Sequence, residues 1–204
     1  MYPVFETIRI ENGQAMRLEW HRQRMQRSAL ALGFEAELVE AIPLQELSKQ
    51  VADTGRWKLR VDYGPAGWTY RLSPYRLQPL HRLFVVNDDS LQYPFKFSDR
   101  SSLEKFNTRL SEGSDVLFVR DGLLTDTVYA NVLLWDGSRW HTPATPLLEG
   151  THRAQLLAQG KVQASAIRLQ DLEHFERITL ISAMLDPGER EMPAGRIEKA
   201  PFLP

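Results

Sequence analysis

The sequence predicts an α+β fold of two small subdomains, and three observations point to it. Arg56–Tyr63 and Trp68–Leu72 alternate apolar and polar residues with the period of half-buried strands, joined by Gly64-Pro65-Ala66-Gly67. Leu18, Met25, Ala29 and Leu32 instead recur on one face of a helix. Between such mixed segments, Asn87-Asp88-Asp89-Ser90 reads as a linker across which the composition changes. The expected organisation is an N-terminal α+β subdomain over 1–88, a linker over 89–95, and a C-terminal subdomain over 96–204.

In chain order, Val4–Ile10 reads as a strand, and Asn12-Gly13 after it is a strong hairpin signal because both residues tolerate positive φ. The helix from Leu18 carries Arg17, Arg22, Arg24 and Arg27 and ends near Gly33. A second helix is predicted over Pro43–Ala52, with Leu44, Leu47 and Val51 on one stripe. Leu83–Val86 is a short apolar strand, and Ser102–Leu110 a helix that Asp99 or Ser101 could cap. Asp115–Val119 is a strand that turns at Asp121-Gly122 into a strand–turn–strand run from Leu123, followed by a Pro-rich loop. A helix opens at Gly150-Thr151-His152-Arg153 and runs to Gly160, and strand-like runs follow at Lys161–Leu169 and Arg177–Leu185. The tail from Pro187 is expected to be poorly packed.

Composition narrows the function. The 204 residues are 43% hydrophobic and 25% charged with a formal net charge of −1, an ordinary globular balance without a nucleic-acid-binding surface. Cysteine is absent, which removes disulfides and thiolate metal sites. His21, His81, His141, His152 and His174 show no metal-ligand spacing, so no metal site is expected. There is no long apolar run and no signal-peptide layout at the N-terminus, so a cytoplasmic protein is expected, with no membrane partner. GxSxG, GxxxxGK[ST] and GxGxxG are all missing.

The chemistry-bearing residues are an acid, a helix opening and a lysine. Gly150-Thr151-His152-Arg153 offers backbone N–H groups at the positive end of a helix dipole, a seat for phosphate; it also reads as an ordinary helix start. Asp126 could pair with a pyridinium nitrogen, or be a turn acid between strands. Lys96, flanked by Phe95 and Phe97, could be a partly desolvated amine nucleophile, or an exposed loop lysine. Arg24 could be a phosphate partner, or part of a solvated helix face. An acid, a phosphate seat and a lysine together suggest pyridoxal phosphate.

Taken in order, Phe5-Glu6-Thr7-Ile8-Arg9, Asn12-Gly13, the helix with His21 and Arg24, Lys96 with Arg100, Thr125–Asn131 and Gly150–Arg153 form a series. It resembles the class IV aminotransferase family of fold-type IV pyridoxal-phosphate enzymes, which includes branched-chain and D-amino-acid aminotransferases and aminodeoxychorismate lyase. The resemblance spans roughly residues 4–187. It implies a D-amino-acid aminotransferase-like fold in which 96–204 binds the cofactor. It implies that Lys96 bonds pyridoxal 5′-phosphate and moves the α-proton, and that Arg24 binds the phosphate. Asp126 matches the family's glutamate at the pyridine nitrogen, one carbon–carbon bond (~1.5 Å) shorter. Gly150, Thr151 and His152 match the phosphate-holding helix opening. Ser182, Ala183 and Met184 match a small-residue loop near phosphate and substrate, Phe5 matches a substrate-pocket aromatic, and Arg100 stands beside the lysine loop with no role assigned. The Phe5–Arg9 string looks closest to the lyase-like branch: 4-amino-4-deoxychorismate would lose pyruvate to give p-aminobenzoate, a folate-biosynthesis step. A branched-chain or D-amino-acid aminotransferase is the alternative, and a non-catalytic cofactor binder the third reading. The resemblance also implies a homodimer acting on a small-molecule amine or amino acid.

Overall fold

The computed structural model describes residues 2–51 and 54–199. The chain divides into two compact units, one running to Arg76 and including Phe95–Asp99, the other formed by Leu77–Pro94 and the chain from Arg100 on.

The first unit starts with β1 (Val4–Glu11), β2 (Gln14–Ala15) and α1 (Leu18–Leu32), then α2 (Ala36–Glu40), α3 (Leu44–Ser48), β3 (Arg56–Gly64) and β4 (Gly67–Pro74). Its strands form an antiparallel sheet in the order β2-β1-β3-β4. Asn12 (φ 50°) and Gly13 (φ 69°) make the two-residue turn that the Asn-Gly signal predicts, pairing Glu11 with Gln14. Gly33 ends α1 at φ 76°, a left-handed conformation that costs glycine little. Alternation sends Val4, Ile8 and Ile10 of β1 and Leu59, Val61 and Tyr63 of β3 into one core with Met25 and Ala29 of α1. Each such side chain contributes about 1.5–3 kcal/mol on leaving water. The same alternation puts Phe5 and Thr7, and Lys58, Arg60 and Asp62, on the opposite face of the sheet.

Residues 95–99 return to this unit by backbone pairing. The Phe5 amide donates to the Lys96 carbonyl (2.9 Å), Ser98 N–H donates to Pro3 O (2.8 Å), and Val4 bridges to Phe97. Phe95 and Phe97 pack against the β1–α1 core.

The second unit contains β5 (Arg82–Asn87), α4 (Ser101–Glu104), β6 (Ser114–Arg120), β7 (Leu123–Thr127), β8 (Asn131–Trp135) and β9 (Trp140–Pro143). It continues with α5 (Thr151–Ala158), β10 (Val162–Ser165), β11 (Arg177–Ile181), β12 (Glu191–Pro193) and β13 (Ile197–Lys199). Among the described residues these strands form two sheets, β13-β5-β6-β7 and β10-β9-β8-β11-β12. β9 and β10 pair in parallel, and α5 is the crossover between them.

The structure departs from the expected boundaries. β5 pairs in parallel with β6, so residues 77–88 belong to the second unit rather than to a 1–88 subdomain. Lys96 belongs to the first unit, because its backbone continues the β1 ladder. The tail is packed as far as it is described: β12 pairs with β11, β13 pairs with β5, and Met192 and Ala194 are buried. Residues 200–204, the rest of that expected tail, lie outside the described residues. The helix predicted over 102–110 is α4 plus a 3-10 turn at Asn107–Arg109. The one predicted over 43–52 is only Leu44–Ser48, its last expected residue Ala52 lying outside the described residues.

Candidate active site

In the first unit, Lys96 is fixed through its backbone to β1 and sends its amine to the ring of Phe5, with Nζ 4.7 Å from the ring centroid. Arg60 meets the same ring, its guanidinium carbon 3.7 Å from the centroid. Lys96, which the sequence left as either a nucleophile or a loop lysine, thus stands with the aromatic that the resemblance placed in the substrate pocket.

Below that face of the sheet lies a buried charge cluster. Glu6 Oε1 and Oε2 accept from Nε (2.8 Å) and Nη2 (2.5 Å) of Arg24, and Oε2 lies 2.7 Å from His21 Nδ1. All three side chains are buried. Burial alone would push the Glu6 carboxyl up, but the Arg24 guanidinium and His21 outweigh it and hold the group down at about 2. Burial pushes His21 below the usual imidazole range against the pull of Glu6. A carboxylate can only accept, so Nδ1 of the neutral ring carries the proton and donates. Arg24 is therefore no solvated helix-face arginine.

In the second unit, Asp126 at the end of β7 is buried and held from two sides. Oδ1 accepts from Asn131 Nδ2 (2.7 Å), and Oδ2 accepts from the Leu148 amide (2.8 Å). Burial raises its carboxyl to about 6, against the lowering effect of these hydrogen bonds and of Arg153. Asn131 also donates to Leu148 O (2.9 Å), so it ties the acid to the loop that leads into α5. At Gly150 an added Cβ would stand 1.9 Å from Asn131 Oδ1, and only glycine lets the helix opening approach this closely. Gly150 caps α5 with no side-chain hydrogen bond to the first turn, where Thr151 and His152 are buried.

His152 reaches back to the turn after β11. Its Nδ1 lies 2.9 Å from Leu185 O and 3.1 Å from Ser182 O, which ties Ser182-Ala183-Met184 to α5. The Met184 amide donates to Ser182 Oγ (3.1 Å) inside that turn. Arg153 donates to Pro143 O (2.8 Å) and Thr142 Oγ1 (3.3 Å). Arg100 donates to Tyr93 Oη (3.0 Å) and to Val128 O, lying against the rings of Tyr93 and Tyr129. That gives Arg100 a part in holding the β7–β8 turn.

A sequence model of the class IV amino-transferases matches residues 3–186. The chain belongs to the class IV aminotransferase family. Members are pyridoxal-phosphate-dependent enzymes, and this protein is one of them. Its structure superimposes on that of a candidate 4-amino-4-deoxychorismate lyase of Haemophilus somnus 129pt with a TM-score of 0.82 and 33% identity, covering 90% of this chain and 97% of that one. An uncharacterised protein of Haemophilus influenzae is 32% identical over 188 residues, 90% of this chain and 98% of its own length. A candidate aminodeoxychorismate lyase of Schizosaccharomyces pombe is 25% identical, over 88% of this chain and 85% of its own.

The residues of this class IV aminotransferase fit the family's cofactor. Asp126 accepts from Asn131 through Oδ1 and from the Leu148 amide through Oδ2, with the Leu147 amide acting on it too, and the four lone-pair sites of a carboxylate leave room for a ring N–H⁺. The cradle at Gly150 has no Cβ, and Gly150 brings no capping side chain of its own to the first turn of α5, which suits a bound phosphate. Sequence reasoning missed three supporting groups. Glu6 was detectable as the one charged residue among the inward positions 4, 6, 8 and 10 of β1. Asn131 lies within the Thr125–Asn131 string, but its bond to Asp126 needs the β7–β8 turn to bring the two together. Arg60 carried no signal, since an arginine on an alternating strand reads as an outward residue.

Proposed function

We propose that the protein is a 4-amino-4-deoxychorismate lyase, releasing pyruvate from its substrate to leave p-aminobenzoate, in the cytoplasm and as a homodimer. Lys96 would bond the cofactor. Asp126 would face its ring nitrogen, and Gly150, Thr151, His152, Ser182, Ala183 and Arg24 would hold its phosphate end. Phe5 and Met184 would line the substrate's place. When bound, pyridoxal phosphate supplies an electron sink conjugated to the substrate's nitrogen.

The observation that carries this reading is the fixed position of Lys96 beside Phe5, supported by 33% identity over nearly the whole chain to a candidate lyase. The reaction needs one base near the amine-bearing carbon and one acid near the departing enolpyruvyl group. Lys96 Nζ would remove the proton from that carbon and carry it as an ammonium. The same ammonium returns a proton to the enolpyruvyl group as its C–O bond breaks. Protons balance without a second substrate. The matches to aminotransferases at about 20% identity support the fold alone.

A single-substrate assay tests the reading. Protein supplied with pyridoxal phosphate and 4-amino-4-deoxychorismate, without an oxo acid, should yield p-aminobenzoate and pyruvate, and Lys96→Ala should yield neither. Product formed only after an oxo acid is added, with the amino group transferred to it, would replace the lyase by an aminotransferase. Sedimentation of the cofactor-loaded protein as a monomer would remove the homodimer.

A further inference from the structure

We propose that Thr125 is a positioning residue: its hydroxyl locks a β-bulge that aims Asp126 at the ring nitrogen of the cofactor. The inference rests on the reading of Asp126 given above and names the group that sets its direction.

The observations all lie within the second unit. The β6–β7 ladder pairs Val119 with Leu124 and Leu117 with Thr127. Between those pairs β6 has one residue, Phe118, and β7 has two, Thr125 and Asp126. An extra residue on one strand is a β-bulge, which disrupts the ladder locally and re-aims the side chains at that point. Strict alternation would give Asp126 the face of Leu124, a fully buried apolar side chain. The bulge breaks that alternation at the acid itself, so the direction of Asp126 depends on how the bulge is held.

A side-chain hydrogen bond holds it. Thr125 Oγ1 donates to Phe118 O (3.0 Å), crossing from the bulged strand to the one residue opposite it. Thr125 is fully buried, so water does not compete for its hydroxyl. The residues after the acid are fixed as well. Val128 N–H donates to Asp115 Oδ1 (3.4 Å), and Val128 O accepts from Arg100 Nη2. The Thr127 amide and hydroxyl both donate to Ala130 O (2.9 and 3.2 Å), which closes the turn toward Asn131. Asp126 thus stands between a turn clamped at both ends of one peptide and a bulge bonded through the Thr125 hydroxyl. The bonds to its carboxylate from Asn131 and the Leu148 amide act on a side chain whose backbone has already set its course. A hydrogen bond weakens steeply off line, so a relaxed bulge would cost the acid its hold on a ring N–H⁺.

The test compares pyridoxal phosphate with its deaza analogue, in which a C–H replaces the ring nitrogen. Each is titrated into cofactor-free wild type, Asp126→Asn, Thr125→Val and Thr125→Ser, and the absorbance change gives an apparent Kd. Wild type should favour pyridoxal phosphate by roughly tenfold to a hundredfold, the scale of one charged hydrogen bond, and Asp126→Asn should remove that preference. Thr125→Val, close to threonine in shape, should reduce the preference by roughly tenfold, and Thr125→Ser, which keeps the hydroxyl, should restore it. If Thr125→Val does not fold, Thr125→Ala removes the same hydroxyl and is read in the same way. Equal weakening of both ligands on loss of the hydroxyl would show that Thr125 only supports the fold, and an unchanged preference would show that it is idle; both outcomes overturn the inference. A Thr125→Ser that behaves like Thr125→Val overturns it as well. A wild type without any preference would remove the reading of Asp126 and this inference together. A preference that Asp126→Asn abolishes and Thr125→Val keeps would remove this inference alone.

Discussion

Asp126 and Asp115 are both buried carboxyl groups whose pKa burial raises to about 6, and the sign of the resulting pH dependence is fixed. A folded-state pKa above the unfolded value means that the folded protein binds the proton more tightly. Stability from these groups is therefore greatest below about pH 4 and falls as the pH rises through about 6. Glu6 acts in the opposite sense and in another window: held down at about 2, it contributes stability that is present above about 4.5 and lost as the pH falls toward 2. Thermal melts of the cofactor-free protein should thus show a contribution from the two aspartates that declines from pH 4.5 to 7, set against a rising contribution from His21, whose pKa burial lowers. Asp126→Asn should flatten that decline by removing one of its two sources. A bound pyridinium should flatten it too, because it gives the Asp126 carboxylate an opposite charge. A slope identical in wild type and Asp126→Asn would mean that Asp126 is not the buried acid described here.

At the scale of elements, β1 and α1 are joined by the Glu6–His21–Arg24 cluster as much as by Val4, Ile8, Met25 and Ala29. Removing one side of a buried ion pair leaves the other charge unpaired, a loss of about 3–5 kcal/mol. Arg24→Met should therefore destabilise even the cofactor-free protein by about that amount in urea unfolding, and adding Glu6→Gln should restore part of it. Full stability of Arg24→Met without cofactor would make Arg24 purely a ligand-binding residue. These elements also show what was legible in the sequence. The period-2 run at Arg56–Tyr63, the Asn12-Gly13 turn and the helix opening at Gly150 are set by local patterns, and the structure has them where the pattern put them. The short α2 and the 3-10 turn after α4 carry too few residues for a period to show. The packed tail was illegible for a different reason: β13 has three residues, and it is a strand only because β5 offers a parallel edge far away in sequence.

For the whole molecule, the family and its cofactor were readable because the motifs that resemble the family occur in its order along the chain, from Phe5 to Gly150. The division into units was not readable, since Lys96 follows a linker-like stretch yet joins the first unit through the Phe5–Lys96 backbone bond. At this scale a single lysine, Lys96, is proposed to carry the cofactor and the chemistry. It is tested by reducing the cofactor-loaded protein with borohydride, digesting it, and locating the cofactor by mass spectrometry. A pyridoxyl mass is expected on the peptide containing Lys96 and none in Lys96→Ala. The same mass on another lysine, or on no lysine at all, would contradict it.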